Sequence, residues 1–142
     1  MIPVLNPGQL RRTDAQTIAH EPVTSIDLME RAARAATEWL LDRYSANASF
    51  RVLAGCGNNG GDGLAIARLL ADEGAYVRVC LFRHRPELAP DAQVNLDRLV
   101  STSVEMLDVQ VGSIPVPPAE DEVVIDALLG IGSDRPLQGW LK

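Results

Sequence analysis

Basic charge is in short supply in this chain: 13 Lys and Arg stand against 19 Asp and Glu, a net charge of -6 over 142 residues. Phosphate backbones are held by clustered cations, so a broad nucleic-acid surface is excluded, although local basic groups remain available. Cysteine is nearly as scarce. Cys56 and Cys80 are too few and too far apart for a zinc site, and their apolar, strand-like surroundings predict buried, reduced thiols that act as small hydrophobes. No apolar run approaches the roughly 18 residues needed to cross a membrane. The opening Met1-Ile-Pro-Val-Leu-Asn6 lacks a basic patch followed by an apolar segment, so no secretory signal is expected and the reading is a soluble, cytoplasmic protein without a membrane partner. Internal repeats, low-complexity tracts, a Ser-His-Asp arrangement and a G-x-S-x-G elbow are all missing, which removes support for nucleophilic hydrolysis.

What is present is glycine, concentrated in one place. Gly55-Cys56-Gly57-Asn58-Asn59-Gly60-Gly61-Asp62-Gly63 holds five glycines between an apolar run ending Val52-Leu53-Ala54 and the apolar helical stretch Leu64 to Leu70. A strand that breaks into glycines and restarts as a helix leaves free backbone N–H groups at the helix N-terminus, where an anion or polar ligand can be held.

The chain is one domain long. Asn6-Pro7 starts a helix that runs to about His20, and Glu21-Pro22 ends it. Thr24, with Asp27 three residues on, starts a second helix, whose small apolar positions Met29, Ala32, Ala33, Ala36 and Leu40 recur at helical spacing. From Phe50 onward, short apolar runs alternate with helical segments: a strand over Arg51 to Gly55, a helix over Gly61 to Glu73 closed by Gly74, and a strand over Tyr76 to Phe82. A helix over Pro90 to Val100 and a strand over Val104 to Leu107 follow, then a loop rich in proline and acid over Gly112 to Asp121. The last strand, Val123 to Ile125, is nearly all apolar and is expected to be covered on both faces. The alternation predicts right-handed parallel crossovers and a Rossmann-like, three-layer α/β/α fold with a mainly parallel sheet, preceded by two helices. A full doubly wound domain continues with further strands, and Gly139-Trp140-Leu141-Lys142 reads as the opening of a helix, so an incomplete domain over 1–142 is expected.

Gly55, Gly57 and Gly60 satisfy G-x-G-x-x-G in the strand-to-helix context that gives this weak pattern value. Two features depart from a simple dinucleotide site. The acid that ordinarily meets a ribose hydroxyl about 20 residues on is replaced by Phe82-Arg83-His84-Arg85, where an arginine could meet a 2′-phosphate. Asp62, beside the helix start, would compete with a phosphate for the same N–H groups, and reads equally as a plain cap. Asn58, Asn59 and Asp62 offer oxygen atoms to ligand hydroxyls or to a hard cation. Asp126 closes the last strand at the end where open α/β sheets bind ligands; in a 3-2-1-4 strand order it would face the Asn58 to Asp62 loop, and the alternative is an aspartate capping its own turn. His20, His84, Trp39 and Trp140 read as surface, capping or packing residues.

Gly55-Cys-Gly-Asn-Asn-Gly-Gly-Asp-Gly63 with Ala67-Arg68 closely resembles the signature of the YjeF N-terminal domain family, the NAD(P)HX epimerases. Ser25-Ile-Asp-Leu-Met-Glu-Arg-Ala-Ala33 and Val124-Ile-Asp126-Ala-Leu-Leu-Gly-Ile-Gly132 resemble two further motifs of that family, in the same order. The resemblance implies an isomerase of nicotinamide-cofactor repair that interconverts the R and S forms of NADHX and NADPHX, small-molecule substrates hydrated on the nicotinamide ring. It implies substrate contacts at Asn58, Asn59, Gly60, Gly61 and Asp62, a potassium ion on Asn59 and Asp126, and a second substrate loop of Gly130, Ile131, Gly132, Ser133, Asp134, Arg135 and Pro136. It also implies a homodimer and a fused or separate dehydratase. The family's proton-transfer aspartate belongs to a later Ile-Pro-Ser-Gly motif that the sequence does not reach, so no catalytic residue is assigned and the 142 residues alone are expected to be inactive or nearly so. Two other readings stand beside it: a non-catalytic binding or scaffold module, because similar domains occur in RNA-decapping and lipoprotein-binding proteins, and an NADP-dependent oxidoreductase.

Overall fold

The computed structural model of the chain describes residues 4–45, 47–110, 112–113 and 115–131. Helix α1 (Pro7–His20) starts where its sequence predicts: the Asn6 side chain accepts from the Gln9 N–H at 2.9 Å while the Gln9 side chain accepts from the Asn6 N–H at 2.8 Å. Helix α2 (Ser25–Arg43) is capped by Thr24, whose hydroxyl donates to Asp27 at 2.6 Å. Its buried stripe is Met29, Ala33, Thr37 and Leu40. Ala32, expected on that stripe, is exposed, and Thr37 takes a buried place by donating its hydroxyl to the Ala33 carbonyl.

Strands β1 (Ser49–Ala54), β2 (Tyr76–Phe82), β3 (Glu105–Val109) and β4 (Glu122–Ala127) form one parallel sheet in the order β3-β2-β1-β4. Helix α3 (Asn58–Asp72) connects β1 to β2 and helix α4 (Pro90–Leu99) connects β2 to β3. Both crossovers step in the same direction, so right-handed connections put both helices on one face. On that face α3 lies against Val52 and Ala127, next to which Gly63 has no room for a side chain. Leu64 and Leu70 of α3 are fully buried, each worth about 1.5–3 kcal/mol of apolar transfer. Met29 of α2 and Ala92 of α4 meet at Gly61, flanking α3 on either side. Glu30 ties the three helices together, accepting from Arg68 at 2.6 Å and lying 3.6 Å from Arg98.

The opposite face carries Arg51 and Leu53, Cys80, Leu107 and Val124. No described helix packs on it, so the second helical layer of a three-layer domain is not among the described residues. Val124 is consequently 43% exposed rather than covered on both faces. The segment before β4 crosses this face and supplies the Val116 carbonyl to Arg51, whose guanidinium also pairs with Glu122 at 2.7 Å, both side chains only 4% exposed. Cys56 and Cys80 are free, buried thiols. The expected C-terminal helix opening around Trp140 lies outside the described residues.

Candidate functional site

The glycine stretch is shaped by backbone packed on backbone. A Cβ on Gly55 would sit 2.1 Å from the Leu128 carbonyl oxygen, and one on Gly60 would sit 1.9 Å from the Gly55 carbonyl oxygen. β1, the start of α3 and the turn after β4 therefore converge at one point, at the C-terminal ends of the strands. These contacts admit no side chain, which accounts for glycine at both positions; helical structure begins at Asn58, three residues before the Gly61 start expected from propensity.

That earlier start changes the role of every polar residue in the stretch. Gly57 is the N-cap and has no side chain to accept from the first turn. The N–H groups of Asn58, Asn59 and Gly60 have no acceptor among the described residues, while that of Gly61 bonds to Gly57 at 3.1 Å. Three donors on the positive end of a 15-residue helix form a site for an anion or a carbonyl-type oxygen. Gly61 is occupied with packing, not with an open edge, since Met29 and Ala92 press on it. Asp62 is the fifth residue of α3 and not a cap. It is partly buried, and its carboxyl is pushed up to about 6 by burial and by the nearby charges of Asp14 and Asp91, the reverse of the helix-dipole stabilisation expected for it.

Asn59 reaches across to the turn after β4, donating its Nδ2 to the Leu129 carbonyl at 3.2 Å. Gly130 lies directly over it, at a distance where a Cβ would be 3.0 Å from that of Asn59. Asp126 pairs opposite Leu53 in the sheet, is exposed, and uses Oδ1 to accept the Leu128 N–H at 3.0 Å. Its turn-capping role is thus realised; contact with the Asn58 to Asp62 stretch is made by Leu129 and Gly130. Ile131 is exposed, and its carbonyl accepts from Arg11 of α1 at 2.8 Å, a contact that no sequence signal announced. Gly132, Ser133, Asp134, Arg135 and Pro136 lie outside the described residues.

The β2–α4 connection was missed by the motif reading, except for its arginines. It closes over the glycine stretch from the other side: the Cys56 carbonyl accepts from the Ala89 N–H and from Arg85 Nη2, each at 2.8 Å. The Cys56 thiol is buried and donates to the Phe82 carbonyl at 3.4 Å, tying the stretch to the end of β2. Arg85 to Pro90 line a surface pocket of about 560 Å³. His20 bonds through its ring to the Gln16 carbonyl, as a helix-end residue does. Among the described residues no group of three His, Cys, Asp or Glu side chains is placed to hold a metal, so an ion here would combine a single carboxylate with amide and carbonyl oxygens.

The chain is similar to several known proteins. A curated NAD(P)H-hydrate epimerase of Limosilactobacillus fermentum is 36% identical over 93% of this chain and 61% of its own length. One from Rhodobacter capsulatus is 34% identical over 99% of this chain and 68% of its own length. A bifunctional NAD(P)H-hydrate repair enzyme Nnr of Salinibacter ruber is 37% identical over 92% of this chain, which matches 26% of that longer protein. The crystal structure of yeast ynu0 superposes with a TM-score of 0.76 at 20% identity, over 96% of this chain and 60% of that one, and shows the same fold. The chain thus spans about three fifths of the length of several proteins that it matches. The family model for the YjeF-related protein N-terminus matches residues 25–142, and the chain belongs to that family.

Proposed function

We propose that the protein epimerises the R and S forms of hydrated NADH and NADPH, and that the described residues form its substrate-binding half. The observation that carries this reading is the uncapped first turn of α3, set where β1, β4 and the β2–α4 connection meet, in a chain 36% and 34% identical to curated NAD(P)H-hydrate epimerases. The free N–H groups of Asn58, Asn59 and Gly60 would take phosphate or ring oxygens. The Asn58 side chain is exposed beside them and would take a hydroxyl. Gly61 and Asp62 would support this turn from behind, and Gly130 to Pro136 would close the substrate from the β4 side. Epimerisation needs a proton donor or acceptor within hydrogen-bond reach of the reacting carbon. Asp126 is committed to the Leu128 N–H and Asp62 interacts with Asp14 and Asp91, so neither is assigned that step.

A potassium ion fits the donor chemistry. With Nδ2 of Asn59 held by Leu129, its Oδ1 is the uncommitted end, and Asp126 retains Oδ2. Hard cations take such oxygens together with carbonyls and water. A homodimer is supported by the outer face of α2, where Ala32, Ala35 and Trp39 are exposed at helical spacing. The name of the Salinibacter ruber relative supports a dehydratase as the fused or separate partner. Cytoplasmic action follows from the proposed cofactor-repair role; no described helix is long and apolar enough to cross a membrane. The test is chromatographic separation of R and S NADHX after incubation with this chain and with a longer chain of the same protein. Acceleration by the longer chain, and saturable NADHX binding by this one, are expected; absence of both would sink the proposal. The alternative of a non-catalytic scaffold would show binding of neither hydrate.

A further inference from the structure

The loop after β2 holds two arginines that the sequence leaves equivalent, and the structure separates them. Arg83 donates its Nε to Asp108 of β3 at 2.8 Å, so its charge is already met by a carboxylate. Arg85 has no carboxylate oxygen within ion-pair distance among the described residues, although Glu87 lines the same pocket. Arg11, Arg12 and Arg43 are likewise exposed without an ion pair among the described residues, so it is position that sets Arg85 apart. Its place is specific: one Nη2 hydrogen bond to the Cys56 carbonyl fixes it against the glycine stretch, and its remaining side-chain N–H groups have no acceptor among the described residues.

We infer that Arg85 is the residue that distinguishes NADPHX from NADHX, by pairing with the 2′-phosphate that only the former carries. This rests on the proposed epimerase reading and deepens it. In open α/β folds the pyrophosphate sits at the helix following the first strand and the adenosine ribose lies by the end of the second strand. Here those two places are the N-terminus of α3 and the loop containing Arg85, joined through Cys56. A guanidinium with a free planar edge is suited to a phosphate dianion, which it can hold through two parallel hydrogen bonds. The Cys56 bond orients that edge without neutralising it, because a carbonyl carries no net charge. Glu87, without an ion pair to Arg85, is available to a ribose hydroxyl, which both substrates share.

The experiment measures dissociation constants of NADHX and NADPHX, by calorimetric titration, for the 142-residue chain and for Arg85→Leu, Arg85→Lys and Arg83→Leu. Arg85→Leu should weaken NADPHX tenfold or more relative to NADHX, Arg85→Lys should recover part of the preference, and Arg83→Leu should leave the ratio within twofold of wild type. The ratio is the readout because loss of the Cys56 bond could disturb the glycine stretch and weaken both ligands together. An unchanged ratio in Arg85→Leu, or a selective loss in Arg83→Leu instead, would overturn the assignment while leaving the epimerase reading intact. Binding of neither hydrate by wild type would overturn both.

Discussion

The carbonyl oxygen of Gly55 occupies the space that a side chain on Gly60 would need, 1.9 Å from its ideal Cβ position. Backbone cannot yield to such a clash as a flexible side chain can. Gly60→Ala should therefore destabilise the fold by about 1–3 kcal/mol or more and displace the first turn of α3. Gly57, two residues past Gly55, has open space around it and an ordinary negative φ of -92°. Gly57→Ser should be accommodated and should add an N-cap acceptor worth about 0.3 kcal/mol, while weakening ligand binding because its hydroxyl takes the same N–H groups. Urea denaturation and NADHX titration of the two variants check this opposition of signs.

Asp62 gives a pH-dependent stability. Its carboxyl is raised in the folded state from the ordinary 3.8 to about 6 by burial, Asp14 and Asp91. Below the unfolded value both states are protonated and nothing is lost; as pH rises through the folded value, the unfolded state gains the advantage of ionising first. Asp62→Asn should match wild type at pH 3.5 and exceed it by roughly 1–2 kcal/mol at pH 7.5, a figure reduced for the solvent contact that the side chain keeps. Equal stabilities at both pH values would show that the carboxyl is not strained.

If potassium binds between Asn59 and Asp126, it stabilises the folded state by mass action, about 1.4 kcal/mol at ten times its dissociation constant. Thermal unfolding should shift upward by a few degrees in potassium chloride relative to choline chloride at equal ionic strength. Asn59→Ala and Asp126→Ala should each abolish the difference. A wild-type midpoint that ignores potassium would remove the ion from the site.

The Arg51–Glu122 pair is nearly inaccessible, with both side chains 4% exposed. Glu122→Gln leaves a buried guanidinium without its counter-charge and should cost about 3–5 kcal/mol, whereas the double variant Arg51→Met, Glu122→Leu should lie much nearer wild type. Guanidinium denaturation of the single and double variants measures the difference. A cost in the double variant equal to that in the single one would contradict a purely electrostatic origin.

Trp39 is 55% exposed on the outer face of α2, with Arg43 stacked 4.8 Å from its ring. Trp39→Lys should convert a dimer to monomer in sedimentation equilibrium without lowering the unfolding midpoint of the monomer. A wild-type chain that sediments as a monomer at high concentration would exclude this face as the contact.

Local chemistry made much of the fold legible. Asn6-Pro7 and Thr24 mark their helix starts because caps are decided by the nearest few residues, and Tyr76–Phe82 is bounded by Gly74 and the following charges. The start of α3 was not legible: glycine disfavours helix, and only the approach of Gly55 and Leu128 shows why glycines occupy its first turn. Asp126 and Asn59 were correctly brought to the same end of the sheet, but the hydrogen bonds that occupy them depend on the turn at Leu128 and Leu129. The division of labour between Arg83 and Arg85 depends on Asp108, a residue from another strand, which no reading of the Phe82–Arg85 stretch alone could supply.

Because all four strands run the same way, the molecule has two chemically different ends. The buried Arg51–Glu122 pair and the Arg78–Glu105 pair occupy the first halves of their strands, while Gly57, Asn59, Arg85 and Gly130 gather beyond the last residues of theirs. A map of substitution effects would therefore be polarised along the strand direction. Changes at the entering end register as lost stability at unchanged ligand preference, whereas changes at the leaving end divide: those at the backbone-packed Gly55 and Gly60 cost stability, and those at Gly57, Asn59 and Arg85 alter recognition by a chain that still folds.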